Sequence, residues 1–185
     1  MSYEEVEVKL PVADAGTALQ KIRIAGFDVT APRVFEQNFV LDTPAGSLRQ
    51  QGFLLRVRRA GDAVTCTFKG REIPGRHKRR EEREFRASDF DEAVALFHGL
   101  GYAPAFRYEK YRTEFARTGE PGHVTLDETP VGVLLELEGP ADWIDRTAKE
   151  LGFIPGDYIL KSYGRLYAEW REKHPEAPAD MIFLR

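Results

Sequence analysis

The stretch Tyr3–Leu10, YEEVEVKL, alternates charged and apolar residues from Glu5 onward. Successive side chains of a β-strand point to opposite faces, so Glu5, Glu7 and Lys9 share one face and Val6, Val8 and Leu10 the other. Neighbours on such a face stand only about 6–7 Å apart along the strand. Two carboxylates and an ammonium that close together need a reason.

The pattern recurs along the chain. Arg56 and Arg58 alternate with Leu55 and Val57, and Thr65, Thr67 and Lys69 with Val64, Cys66 and Phe68. Lys110, Arg112 and Glu114 alternate with Tyr111, Thr113 and Phe115; Thr125 and Asp127 with Val124 and Leu126; Glu136 and Glu138 with Leu135 and Leu137. Two architectures fit. One is an open antiparallel sheet with a wet face and a face packed on helices. The other is a closed barrel with a charged lumen and an apolar exterior, which removes the strand edges. Arginine pairs beside glutamate pairs exceed what a wet face requires. In a lumen, unpaired charge costs several kcal/mol or more. A divalent cation on the acidic wall and a polyphosphate on the basic wall would relieve it, since hard cations take carboxylate and phosphate oxygens and guanidinium forks fit phosphate.

The rest of the chain supplies helices to cover such a barrel. Asp14–Phe27 has helical spacing with a stop at Gly26, and a strand is expected near Val34–Asp42. Thr43–Gly52 reads as a turn-rich connection, Phe53–Gly70 as a hairpin turning at Ala60-Gly61-Asp62, and Arg71–Arg80 as a basic loop. Arg80–Phe85 reads as a strand, and Ser88 as the cap of a helix reaching about Leu100. A second hairpin turns at Thr118–Gly122. A strand over Val131–Gly139, a helix from about Ala141 to Leu151 and a helical Lys161–His174 follow; Pro175–Asp180 is expected to fray. Three times a Glu-x-Glu strand runs into a helix that ends at Gly plus an aromatic: Gly26-Phe27, Gly101-Tyr102 and Gly152-Phe153.

Length fits one domain, taken as residues 1–175 with a tail at 176–185. A formal net charge of -3 argues against a general nucleic-acid coat or an anionic-membrane binder. The lone Cys66 and the lack of an apolar leader suggest a soluble cytoplasmic protein. Gly70 and Gly75 have phosphate-loop spacing, but Arg76-His77 stands where Lys-Ser/Thr is needed. His77, His98, His123 and His174 lack zinc-ligand spacing. Arg76–Arg80 is expected to be a solvated loop or flap, and Tyr163, Tyr167 and Trp170 to pack on a helix bordering one tunnel mouth.

Taken together, these motifs resemble the CYTH family, whose members share the triphosphate tunnel fold. The resemblance rests on Glu5-Val-Glu7-Val-Lys9, then QNFVLDT, LLRVRR, TFKG, EEREF, EKYRTEF, LDETPVGVLLELEG and KSYGRLY, in family order from residue 5 to about 167. It implies an α+β fold, an eight-stranded antiparallel β-barrel with a charged lumen and helices outside. Carried over by motif, Glu5, Glu7, Asp127, Glu136 and Glu138 would hold Mg²⁺ or Mn²⁺. Lys9, Arg56, Arg58, Lys69, Lys110, Arg112 and Lys161 would bind substrate, with Glu5, Glu7 and Lys9 catalytic and Glu82 and Glu84 supporting. The implied activity is metal-dependent hydrolysis of tripolyphosphate, thiamine triphosphate or a nucleoside triphosphate, by a monomer or homodimer without nucleic-acid or membrane partners. Conversion of ATP to cyclic AMP and pyrophosphate is the alternative. Some cyclases of the family carry a His-Phe pair before the acidic motif, where this sequence has Met1-Ser-Tyr-Glu, so hydrolysis ranks first. A non-catalytic phosphate-binding module would keep the basic wall, but the full acidic set argues against it.

Overall fold

The computed structural model describes residues 2–184. Eight antiparallel strands close into a barrel: β1 Ser2–Val12, β2 Asp28–Asp42, β3 Leu54–Ala60, β4 Ala63–Lys69, β5 Lys78–Ala87, β6 Ala103–Ala116, β7 His123–Thr129 and β8 Gly132–Glu138. Their order around the wall is β1-β5-β4-β3-β2-β6-β7-β8, with β8 returning to β1. Exchanging β1–β4 with β5–β8 leaves every neighbour relation unchanged, so the barrel has a topological two-fold. The recurrent Glu-x-Glu strands follow from it in part, since β1 and β5 are equivalent.

The helices are α1 Ala15–Ile24, α2 Ser47–Gln50, α3 Phe90–Gly99, α4 Ala141–Glu150 and α5 Tyr163–Arg171. The three Gly-aromatic signals are one device. At the ends of α1, α3 and α4 the aromatic N–H donates back to Ile22, Phe97 and Ala148, and the glycine N–H to Arg23, His98 and Lys149. Gly26, Gly101 and Gly152 have φ of 77°, 91° and 86°, the left-handed region such a cap requires.

The hydrophobic core lies outside the barrel, between wall and helices. Val8, Leu10, Leu126, Leu135 and Leu137 meet Ile22 of α1 and Trp143 and Ile144 of α4. Leu55, Val57, Val64 and Cys66 meet Phe90 and Ala93 of α3. Strands apolar outside and charged inside thus invert the usual arrangement, and the lumen is left to polar groups. No described helix is long and apolar enough to cross a membrane.

Several local expectations are corrected. β2 begins at Asp28 rather than Val34, its early part joined to β6 through register shifts at Val29, Ala31 and Val34. A short helix, α2, interrupts the connection after Thr43. Asp89, not Ser88, caps α3, its carboxylate accepting from the Glu92 N–H at 2.9 Å. Lys78–Arg80 belong to β5, not to a loop. The segment beyond residue 175 does not simply fray. β7 pairs with β6 only from Tyr111 onward, leaving the earlier edge of β6 open. Met181 fills it: the Glu109 N–H donates to the Met181 carbonyl at 2.8 Å, and the Met181 N–H to that of Arg107 at 3.0 Å.

Candidate active site

In a ring of eight strands each faces the fourth from it, so β1 stands across the lumen from β2, and β8 across from β3. Glu136 and Glu138 on β8 therefore look toward Arg56 and Arg58, and Glu5 and Glu7 on β1 toward Glu36 and Asn38 on β2. Between the walls lies a cavity of about 1290 Å³. One mouth is bordered by Asp42–Gly46, α2 and the first turn of α5; Glu114, His123 and Glu138 line the other region. Ser162 caps α5, and Tyr163, the first helical residue, is buried below the mouth.

A mesh of ion pairs runs through the lumen. Lys9 lies 2.9 Å from both Glu7 and Glu136. Lys69 bridges Glu5 at 2.5 Å and Glu82 at 2.8 Å, and Lys78 also donates to Glu7. Register explains the last pair, since Glu7 and Lys78 are directly opposed on β1 and β5. Asp127, with no exposed surface, accepts from Lys110 at 2.8 Å, from Arg112 at 2.7 and 2.6 Å, and from the Tyr163 hydroxyl at 2.5 Å. Arg112 also donates to Glu136. On the far wall Arg56 donates to the Tyr108 hydroxyl at 3.2 Å and to Thr67 at 3.1 Å, while Arg58 reaches Glu36 at 3.5 Å.

The protonation equilibria follow this mesh. Burial alone would raise Glu7, but the Lys78, Lys9 and Lys69 charges hold it well below the usual carboxylate range. Burial likewise raises Glu136, and Lys9, Arg112 and Lys110 more than reverse it. Burial disfavours the charged form of Lys9, yet Glu136 and Glu7 together raise it above the usual ammonium range. Glu36 is brought down to about 2, because Lys110, Arg112, Arg58 and Arg56 outweigh its burial. Two groups go the other way. Burial and the Glu5 and Glu7 charges push Glu138 up to about 8. Burial, and Glu5 nearby, push Glu82 up to about 7 despite Lys69. Glu82 and Glu138 are thus the lumen carboxylates whose surroundings favour the proton.

The structure brings Glu5, Glu7, Lys9, Arg56, Arg58, Lys69, Glu82, Glu84, Lys110, Arg112, Asp127, Glu136 and Glu138 into one lumen. It does not bring Lys161 there. That side chain precedes α5, is 43% exposed and donates to Glu169 at 2.6 Å. Nor are the five expected metal ligands gathered into one cluster. Among the described residues no three carboxylates, histidines or cysteines are arranged to hold an ion, and lysines stand between the glutamates. Sequence reasoning missed Glu36, Asn38, Lys78, Arg80 and Tyr108, and read Tyr163 as a packing residue at the tunnel mouth, where the structure has it buried. Alternation marks Glu36 and Asn38 as one face of β2, a signal available in the sequence. Lys78 and Arg80 are concealed in an unbroken charged run.

A closed barrel with its core outside and an ion-pair mesh inside is a tunnel lined by charge. The chain belongs to the CYTH domain family, which it matches over residues 4–163. No curated protein sequence matches it significantly. Among solved structures it resembles a candidate adenylate cyclase from Vibrio parahaemolyticus, with TM-score 0.76 and 23% identity, covering 89% of this chain and 97% of that one. The PH1819 protein of Pyrococcus horikoshii gives TM-score 0.75 at 24% identity, covering 90% and 99%. HpAC1 from Hippeastrum, a candidate adenylyl cyclase with a dominant triphosphatase activity, gives 0.65 at 15%, covering 92% and 96%. At these identities the likeness is one of fold.

Proposed function

We propose that this tunnel hydrolyses the terminal phosphoanhydride bond of triphosphate-bearing compounds with the help of a divalent cation. The observation that carries the reading is the division of the lumen: the carboxylates of β1 and β8 stand side by side, and the arginines of β3 stand across from β8. A triphosphate with a divalent ion answers both walls. Lys9, Lys69, Lys110 and Arg112 would turn from their carboxylates to phosphoryl oxygens, with Arg56 and Arg58 completing the clamp. The carboxylates they leave would then face the ion.

The donor set fits Mg²⁺ or Mn²⁺. Glu5 Oε2 is buried without a hydrogen-bond partner, and the crowding of Glu5, Glu7 and Glu138 is what a hard cation relieves. Glu5, Glu7 and Glu138 would hold it first, with Glu136 and Asp127 joining once Lys9, Lys110 and Arg112 have moved to phosphate. Bound there, the ion would supply charge neutralisation and acidify water. In the hydrolytic step the water oxygen forms a bond to the terminal phosphorus, the bond to the bridging oxygen breaks, and the water proton leaves to a base. The basic wall stabilises the charge that builds on the phosphoryl oxygens.

Hydrolysis is preferred to cyclisation because the aromatic rings in the lumen are already engaged. Tyr163 stacks on Tyr108 at 5.7 Å and carries the Lys9 and Lys110 ammonium groups over its ring, while Phe106 stacks on Tyr108 at 5.9 Å. That leaves little there to orient an adenine ring. The test is a product assay with tripolyphosphate, thiamine triphosphate and ATP, each with Mg²⁺ or Mn²⁺. Orthophosphate release is expected. Cyclic AMP with pyrophosphate would replace this reading by the cyclase, and tight binding without product by a binding module.

A further inference from the structure

Among the described residues Asn38 is the one whose buried side chain leaves both polar atoms, Oδ1 and Nδ2, without a hydrogen-bond partner. It is fully buried. It lies on β2 between Glu36 and Val40, so alternation puts it on the lumen face with them. It is paired in register with Arg58 on one side and with Tyr108 on the other, and both line the cavity. A buried amide with neither bond made costs about 1–3 kcal/mol per group, and native proteins seldom leave one so. In a lumen where nearly every neighbour is charged and paired, a neutral, unpaired amide calls for a ligand.

We propose that Asn38 is a phosphoryl-binding residue, a specificity point that extends the triphosphate reading above and rests on it. Nδ2 donates to a phosphoryl oxygen of the chain held by Arg56 and Arg58. Oδ1 accepts an N–H from Arg58, whose guanidinium has donors to spare, since its contact with Glu36 is at 3.5 Å. The chemistry suits a fully ionised phosphate chain, which offers acceptors only. An amide adds a donor without the extra positive charge of another lysine, and gives Arg58 a second anchor when it swings from Glu36 to the ligand. Both orphaned atoms are satisfied only in the ligand-bound state.

The test compares wild type, Asn38→Leu and Asn38→Asp by calorimetric titration with tripolyphosphate in EDTA, alongside thermal unfolding. Asn38→Leu keeps the volume and removes both polar atoms. We expect it to melt about 2–4 °C higher and to bind tripolyphosphate about tenfold to a hundredfold more weakly. A merely structural residue would not give both changes at once. Asn38→Asp keeps the shape but turns an acceptor-only, negative group toward the phosphates, and should bind more weakly still. Unchanged affinity in either variant would overturn the inference; should Asn38→Leu fail to fold, Asn38→Asp decides alone. If the wild type does not bind tripolyphosphate, the proposed function falls and this inference with it. Binding by wild type that the variants retain in full removes this inference alone.

Discussion

Asp127→Asn tests whether the buried mesh holds the barrel together. The substitution keeps the size and removes the charge from a fully buried group that accepts four hydrogen bonds, from Lys110, twice from Arg112, and from Tyr163. Breaking a buried ion pair from one side typically costs about 3–5 kcal/mol, because the other charge stays buried. Here two cations lose their partner, but each keeps another: Arg112 has Glu136, and Lys110 has Glu36 at 3.6 Å. The lower end, about 3 kcal/mol, is therefore expected. For a chain of this length that is a fall in Tm of about 6–12 °C. The assay is thermal unfolding followed by circular dichroism at neutral pH, with and without tripolyphosphate. Tripolyphosphate should raise the variant's Tm more than the wild type's, since its oxygens replace the lost carboxylate. A variant that melts within about 2 °C of wild type, less than 1 kcal/mol on the same scale, would refute the reasoning: Lys110 and Arg112 would not depend on Asp127.

Three other outcomes are expected. Glu7→Gln should abolish metal-dependent turnover while leaving a cooperative unfolding transition; turnover that persists at ordinary Mg²⁺ concentrations would remove Glu7 from the metal-holding set. Asp145 ties the β4–β5 connection to α4, accepting from Arg76, from His77 at 2.8 Å and from Tyr158 at 2.9 Å. Burial pushes Asp145 up, but the His77 and Tyr158 hydrogen bonds and the Arg76 charge hold it below its ordinary value of 3.8. Its stabilising contribution is therefore complete above that value and lost as pH falls through the lower, folded-state one. The Tm difference between wild type and Asp145→Asn should shrink as pH falls below about 4; a difference that does not change with acidification there would contradict this. Gly122→Ala should unfold the protein at markedly lower temperature or prevent its recovery as folded material, because a Cβ there would overlap the Trp143 ring. Unaltered melting would show that Trp143 does not pack as described.

By itself the sequence determined which side chains share a face. Period-two alternation in β1, β3, β4 and β8 is strict enough that Glu5, Glu7, Lys9, Arg56, Arg58, Lys69, Glu136 and Glu138 could be placed together, and the Gly-aromatic pairs marked three helix ends. Alternation is silent where every residue carries charge. Lys78 and Arg80 turn inward and Arg79 outward, and in the run Arg76–Arg80 no apolar residue marks the difference. Alternation marks Glu36 and Asn38 as one face of β2, but two polar residues do not by themselves say that the face lines a lumen. Tyr163 reads as helix packing because its place over the tunnel depends on where α5 docks. Tertiary structure alone decided who meets whom. Glu7 finds Lys78, 71 residues away, because β1 and β5 are neighbours in that register, and Arg112 finds Asp127 because β6 and β7 are. Facing is local, set by the geometry of a single strand; partnership is global, set by strand order, register and closure of the barrel.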